Sequence, residues 1–219
     1  MLLERDDINP NTVDTEYRRT PLSWAAKNGH PGVVKLLLER EDINPNTAGA
    51  AYDRTPLLWA AGCGNEQVVK FLLEREDTNP NTVDTRYGRT PLLWAAECGH
   101  EGVVKLLLER EDTNPNIVDT WHGRTPLSWA AGNRHEGIVK LLLEREDTNP
   151  NTADTDNGWT LLSLAAEVGH ERVAKVLLER GYINPNIFSG ETAPESVAPR
   201  GHTRSWSYSP HVNPPFPSS

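Results

Sequence analysis

Cys63 and Cys98 are the only cysteines in the chain, and they stand at matching positions of two adjacent copies of one phrase. Paired thiols suggest redox chemistry or a metal. A zinc site needs four nearby ligands, commonly with C-x-x-C spacing. A disulfide needs Cα atoms within about 7 Å, while neighbouring helices pack roughly 8–10 Å apart. Two free thiols are therefore the better reading. His30, His100, His135 and His170 recur in the same way and suggest a metal ladder. Asn65 fills that slot in the one remaining unit. Asparagine caps helices well and ligates zinc poorly, so the slot asks for a helix-capping hydrogen bond.

Other candidates weaken in the same way. Gly62-Cys63-Gly64 contains G-x-G but lacks the third glycine and follows no strand, so it fails the context of a phosphate-binding loop. No Ser nucleophile elbow is present. Glu39, Arg40, Glu41 and Asp42 recur in four units and read as a solvated helix end. Trp24, Trp59, Trp94 and Trp129 could stack a ligand, but large indoles beside small alanines is the alternation that fills a core between layers. Catalysis needs one constellation unlike its surroundings. Near-identical units do not build one, and the chain reads as no enzyme, with no cofactor, metal or small-molecule substrate.

The candidates share a pitch because the whole chain does. Thr20, Thr55, Thr90, Thr125 and Thr160 open TPLSWAA, TPLLWAA, TPLLWAA, TPLSWAA and TLLSLAA, always 35 residues apart. Residues 55–89 match 90–124 at 28 of 35 positions. Thr followed by Pro predicts a helix start, and Gly29, Gly64, Gly99 and Gly169 predict its left-handed end. A second helix follows, carrying Val33, Val34, Leu36, Leu37 and Leu38 in the first unit, and the Asn-Pro of each unit is expected to end it. A helix pair of this size closes no core alone, so units must stack: the predicted fold is an all-α repeat solenoid of helix-turn-helix units.

The pattern T-P-L-x-x-A-A-x-x-G-H-x-x-V-V-K-L-L-L-E closely resembles the ankyrin repeat, across roughly residues 1–186. The INPN and TNPN wording looks like that of arrays in filamentous fungi. The resemblance implies antiparallel helix pairs joined by hairpin-like loops, and a concave face that binds other proteins. The sequence departs from the family in its period of 35 against about 33, in Ser or Leu where the family's histidine stands, and in Trp where Leu is usual. The added length falls at the loop tip.

The units are expected at 20–54, 55–89, 90–124, 125–159 and 160–186. Residues 1–19 read as a partial leading unit, 187–202 as a degenerate sixth, and 203–219 as a disordered Pro- and Ser-rich tail. The chain is expected to be either a piece of a longer array or a complete protein with frayed ends. What varies between units is the candidate binding strip: Tyr17, Arg19, Tyr52, Arg54, Arg86, Tyr87, Arg89, Trp121, His122, Arg124 and Trp159. Tyr, Trp and Arg are enriched at interface hot spots, though exposed tips also drift neutrally. The partner is expected to be another protein. With 22 Lys and Arg against 31 Asp and Glu, the net charge is −9, which argues against nonspecific nucleic-acid or anionic-membrane binding and favours basic or mixed partners. A scaffold or regulatory role leads, with a structural spacer as the alternative. No signal peptide or membrane span is visible, so cytoplasm or nucleus is expected.

Overall fold

The computed structural model describes residues 9–49, 52–156 and 158–179. The expected sixth unit, the tail and the first eight residues of the leading unit lie outside them. Ten helices follow in order among the described residues: α1 Pro21–Lys27, α2 Pro31–Leu38, α3 Pro56–Gly62, α4 Glu66–Leu73, α5 Pro91–Cys98, α6 Glu101–Leu108, α7 Pro126–Gly132, α8 Glu136–Glu144, α9 Leu161–Glu167 and α10 Glu171–Glu179. Each odd-numbered helix packs on the next odd one and each even on the next even one, while the two helices of a pair pack on each other. The result is the predicted all-α solenoid of two helix layers, joined by loops without a described strand.

The starts follow the sequence. In every unit the Thr hydroxyl accepts the backbone N–H three residues on, as Thr90 does from Leu93 at 3.1 Å, satisfying one of the free donors at a helix start. Proline takes the first turn of α1, α3, α5 and α7, where no N–H is required of it.

The first helix ends as predicted at Gly99, with φ +81°. This glycine is needed twice over. The left-handed conformation is strained for other residues, and a Cβ here would meet the His135 ring of the next unit at 2.6 Å. The fourth unit has Arg134 instead, at φ +68°. Its guanidinium donates to the Val168 carbonyl at 3.1 Å and to His170 Nε2 at 3.2 Å, so strain in one unit is matched by bonds to the next.

The capping expectation for the His row is corrected. His30, Asn65, His100 and His135 begin the second helices, but none makes a side-chain cap there. Three reach back across the unit boundary. Asn65 donates to the Ala26 and Lys27 carbonyls at 2.8 and 3.1 Å, His100 Nε2 pairs with the Gly62 carbonyl and His135 Nε2 with that of Glu97, both at 3.1 Å. They satisfy the free carbonyls at the end of the preceding unit's first helix.

The second helices stop well before the Asn-Pro, α2 at Leu38 ahead of Asn44-Pro45. The next unit takes over their last carbonyls: Arg75 Nη1 donates to Leu38 and Arg40 oxygens, at 3.2 and 3.4 Å, while Arg75 Nε and Nη2 grip Asp77 at 2.8 and 2.7 Å. Arg110 and Arg145 repeat this arrangement. The recurring Glu-Arg-Glu-Asp is thus a clamp between units as well as a solvated helix end. The Asn-Pro-Asn adds another. Asn81 Nδ2 donates to the Asp112 carbonyl at 2.6 Å and Asn81 Oδ1 accepts from Asn114 N–H at 2.8 Å; Asn11, Asn46 and Asn116 do the same.

The core runs unbroken between layers. Leu92, Ala95, Ala96, Val103, Val104 and Leu107 are fully buried in the third unit, with their equivalents in its neighbours. Each buried Leu or Val contributes about 1.5–3 kcal/mol.

Candidate interaction surface

Four of the five loops from Asn-Pro-Asn to the next Thr are closed by their own aspartate, Asp14, Asp84, Asp119 and Asp154, and the fifth has Gly49 in that place. Asp84 N–H donates to the Arg89 carbonyl at 3.1 Å, Asp84 Oδ1 accepts from the Arg86 and Tyr87 amides at 3.1 and 2.7 Å, and Oδ2 accepts from Trp94 Nε1 at 2.6 Å. Asp14 does the same for Glu16, Tyr17, Arg19 and Trp24. These donors, the Tyr17 amide foremost, hold its carboxyl down at about 2, because they stabilise the charged form. Three loop tips are therefore pinned to a tryptophan of the first helix that follows, through Asp14–Trp24, Asp84–Trp94 and Asp119–Trp129. Consecutive tips are also joined, Thr85 N–H to the Tyr52 carbonyl, Thr120 to Tyr87 and Thr155 to His122, at 3.0, 2.8 and 2.8 Å.

Beneath the tips, tryptophans and arginines alternate along the stack. The Arg19 Cζ lies 4.5 Å from the Trp24 ring and 4.3 Å from Trp59. Arg54 lies 4.9 and 4.4 Å from Trp59 and Trp94, Arg89 lies 4.7 Å from both Trp94 and Trp129, and Arg124 is 5.3 Å from Trp129. These are cation–π separations. Three rungs carry a carboxylate from the following unit: Asp84 at 3.9 Å from Arg54, Asp119 at 3.7 Å from Arg89, and Asp154 at 3.1 Å from Arg124.

Above them, exposed and half-buried side chains form a second row. Arg86 bonds to the Tyr52 hydroxyl and lies over the Tyr52 and Tyr87 rings at 4.7 and 5.0 Å. Tyr87 meets Trp121 edge-on at 5.0 Å, Trp121 adjoins His122, and His122 Nδ1 pairs with Asp156. Trp121 is 57% exposed.

Models of ankyrin repeats match residues 17–49, 41–119 and 111–189. The chain belongs to the ankyrin repeat family. No curated protein matches it. Ankyrin repeats are generally protein–protein interaction modules, typically without catalytic activity.

Of the ankyrin strip expected from the sequence, the structure brings Tyr52, Arg86, Tyr87, Trp121 and His122 together on the tips. Tyr17 is exposed too, edge-on to Trp24 at 5.6 Å. Trp159 is half-buried in the slot the other units give to arginine. Arg19, Arg54, Arg89 and Arg124 lie buried beneath the tips and not among them. A guanidinium has a planar, weakly hydrated face that packs on indoles while its edge meets carboxylates, so these four join the core instead of the tips. Trp59 and Trp94 are buried, as expected of core, while Trp24 and Trp129 are half-buried, and arginines lie between them.

Sequence reasoning missed the aspartate at the base of four of the five tips; its recurrence as V-D-T or A-D-T was the available signal. Cys63 and Cys98 are half-buried free thiols, and burial pushes the Cys98 thiol up to about 12. Among the described residues no three His, Cys, Asp or Glu side chains gather as metal ligands would, and no helix is long and apolar enough to cross a membrane.

Proposed function

We propose that this ankyrin stack binds another protein through the tip row Tyr52–Arg86–Tyr87–Trp121–His122, flanked by Tyr17 and Trp159, as a scaffold or regulatory element in the cytoplasm or nucleus. The observation that carries this reading is the contiguous contact from Tyr52 to Asp156 across four loops. Each tip is fixed to the core by its aspartate or its neighbour, so little side-chain entropy is lost when a partner docks. Exposed Tyr, Trp and Arg in one row are the residues that dominate binding energy when desolvated. The helix-pair boundaries expected from the sequence remain the proposed units of this module.

The test starts from a binding partner selected by display against the full chain. Arg86→Ala with Trp121→Ala is expected to weaken that affinity at least about 30-fold, or 2 kcal/mol, with unchanged helicity by circular dichroism. Unchanged affinity would show that the tips are the wrong surface and would favour the spacer reading.

A further inference from the structure

The arginine rungs differ in how their charge is answered. Arg89 has two carboxylates, Glu97 at 2.6 Å and Asp119 at 3.7 Å. Two units earlier the equivalent positions around Arg19 hold Lys27 and Gly49. The rung that by register would carry two carboxylates carries a second cation and no side chain at all. Arg19 is 6% exposed, and its Nε is buried without a hydrogen-bond partner. Its guanidinium lies over ring faces, Tyr17 at 5.0 Å, Trp24 at 4.5 Å and Trp59 at 4.3 Å, and makes no ion pair with a described carboxylate. Lys27 Nζ joins it over the same two indoles, 5.6 Å from each. The Asp14 charge favours the guanidinium from a distance, but its oxygens point to three backbone amides and Trp24 Nε1 and form no ion pair with Arg19.

We propose that this rung is a recognition site for a carboxylate on the partner protein, an aspartate or glutamate side chain that inserts between Lys27 and Arg19 against Trp24 and Trp59. The partner's carboxylate does for Arg19 what Glu97 and Asp119 do for Arg89. A buried guanidinium is costly unless its charge is answered, and three of the four rungs answer it internally. Burial and then the Arg19 charge lower the Lys27 pKa, as expected of a cation with no anion beside it. The chain's net charge of −9 favours basic or mixed partners; a mixed partner presents its acidic anchor here. The proposal goes beyond the tip row, involves different residues and stands without it.

The experiment titrates the full chain, at low salt, with a capped tetraglutamate peptide, following the indole N–H resonances of Trp24 and Trp59 by NMR. Capped tetraglutamine and inorganic phosphate are the comparators. Saturable shifts confined to these two indoles are expected with tetraglutamate and not with tetraglutamine. Two variants supply the missing carboxylate from within. Lys27→Glu reproduces Glu97, and Gly49→Asp reproduces Asp119. Each is expected to weaken the peptide tenfold or more while leaving the melting temperature equal or higher. An added Cβ at Gly49 would lie 3.1 Å from Arg19 Cγ, so Lys27→Glu decides the matter if Gly49→Asp folds poorly. Absence of a saturable shift, equal binding of tetraglutamine, tighter binding of phosphate, or undiminished affinity in Lys27→Glu would each overturn the proposal. The probe is a free peptide and the variants lie outside the tip row, so failure here leaves the tip reading to its own test.

Discussion

Along one edge of the stack, Asn11, Asn46, Asn81 and Asn116 each make the same two bonds to the next unit's backbone, Nδ2 donating at 2.6–2.7 Å and Oδ1 accepting at 2.7–2.9 Å. Along the other edge, Arg19, Arg54, Arg89 and Arg124 pack against tryptophans, but their ion pairs differ: Arg54 meets Asp84, Arg89 meets Glu97 and Asp119, Arg124 meets Asp154, and Arg19 meets no described carboxylate at ion-pair distance. The asparagines address backbone, which every unit offers alike, so the edge has no freedom to differ. The arginines address side chains, which can be exchanged one rung at a time. The first edge joins units, and the second joins them too while carrying the row proposed for recognition.

That last point is the easiest to break. Trp94 is buried, donates to Asp84, and lies between Arg54 and Arg89. Trp94→Ala leaves a cavity, a carboxylate without its donor and two guanidiniums without a shared face. The expected loss is about 3–5 kcal/mol, read as a lowered urea midpoint of the full chain. A loss below 1 kcal/mol would mean that the tip edge only displays side chains and that the asparagine edge alone holds the units together.

The asparagine edge should respond less. Asn81→Ala removes two cross-unit hydrogen bonds at an exposed site, each worth about 1 kcal/mol. A fall of about 2 kcal/mol is expected in the same titration, with the binding of any tip-directed partner unaltered. Asn81→Asp should cost as much or more, because a carboxylate cannot donate to the Asp112 carbonyl. If Asn81→Ala proves more damaging than Trp94→Ala, the ranking of the two edges is reversed.

These edges were unequally legible in the sequence. Thr-Pro, the left-handed glycines and the period of 35 gave the helix pairs, because each acts through local backbone geometry. The asparagine ladder was visible as Asn-Pro-Asn but was read as a helix stop, since its bonds run to a residue 31 or 33 positions away. The four buried arginines were misplaced for a related reason. A guanidinium beside a loop tip looks solvent-facing until the indole of the following unit is known to cover it. Tyr52, Arg86, Tyr87, Trp121 and His122 were found because they differ between units, and variation at a tip needs no knowledge of the neighbour.

The smallest expected effect concerns acid. Asp14 accepts four hydrogen bonds and its carboxyl is held at about 2 in the folded chain, against an ordinary value near 3.9 when unfolded. A depressed folded value means that the charged form is preferred by the fold. Its stabilising contribution is complete above about pH 4 and disappears as pH falls through 2. Gly49 leaves the first full unit, residues 20–54, without this carboxylate, so acid should loosen the loop of Asp14 while sparing the loop of Gly49. Asp14→Asn keeps an acceptor for the Tyr17 amide but has no charge to lose. Its melting temperature should lie slightly below that of the natural chain at pH 6, and the gap between pH 6 and pH 2 should narrow. An undiminished gap would mean that acid acts elsewhere on the stack and that the tip anchor at Asp14 is no more sensitive than the asparagine edge, whose amides have no proton to gain in this range.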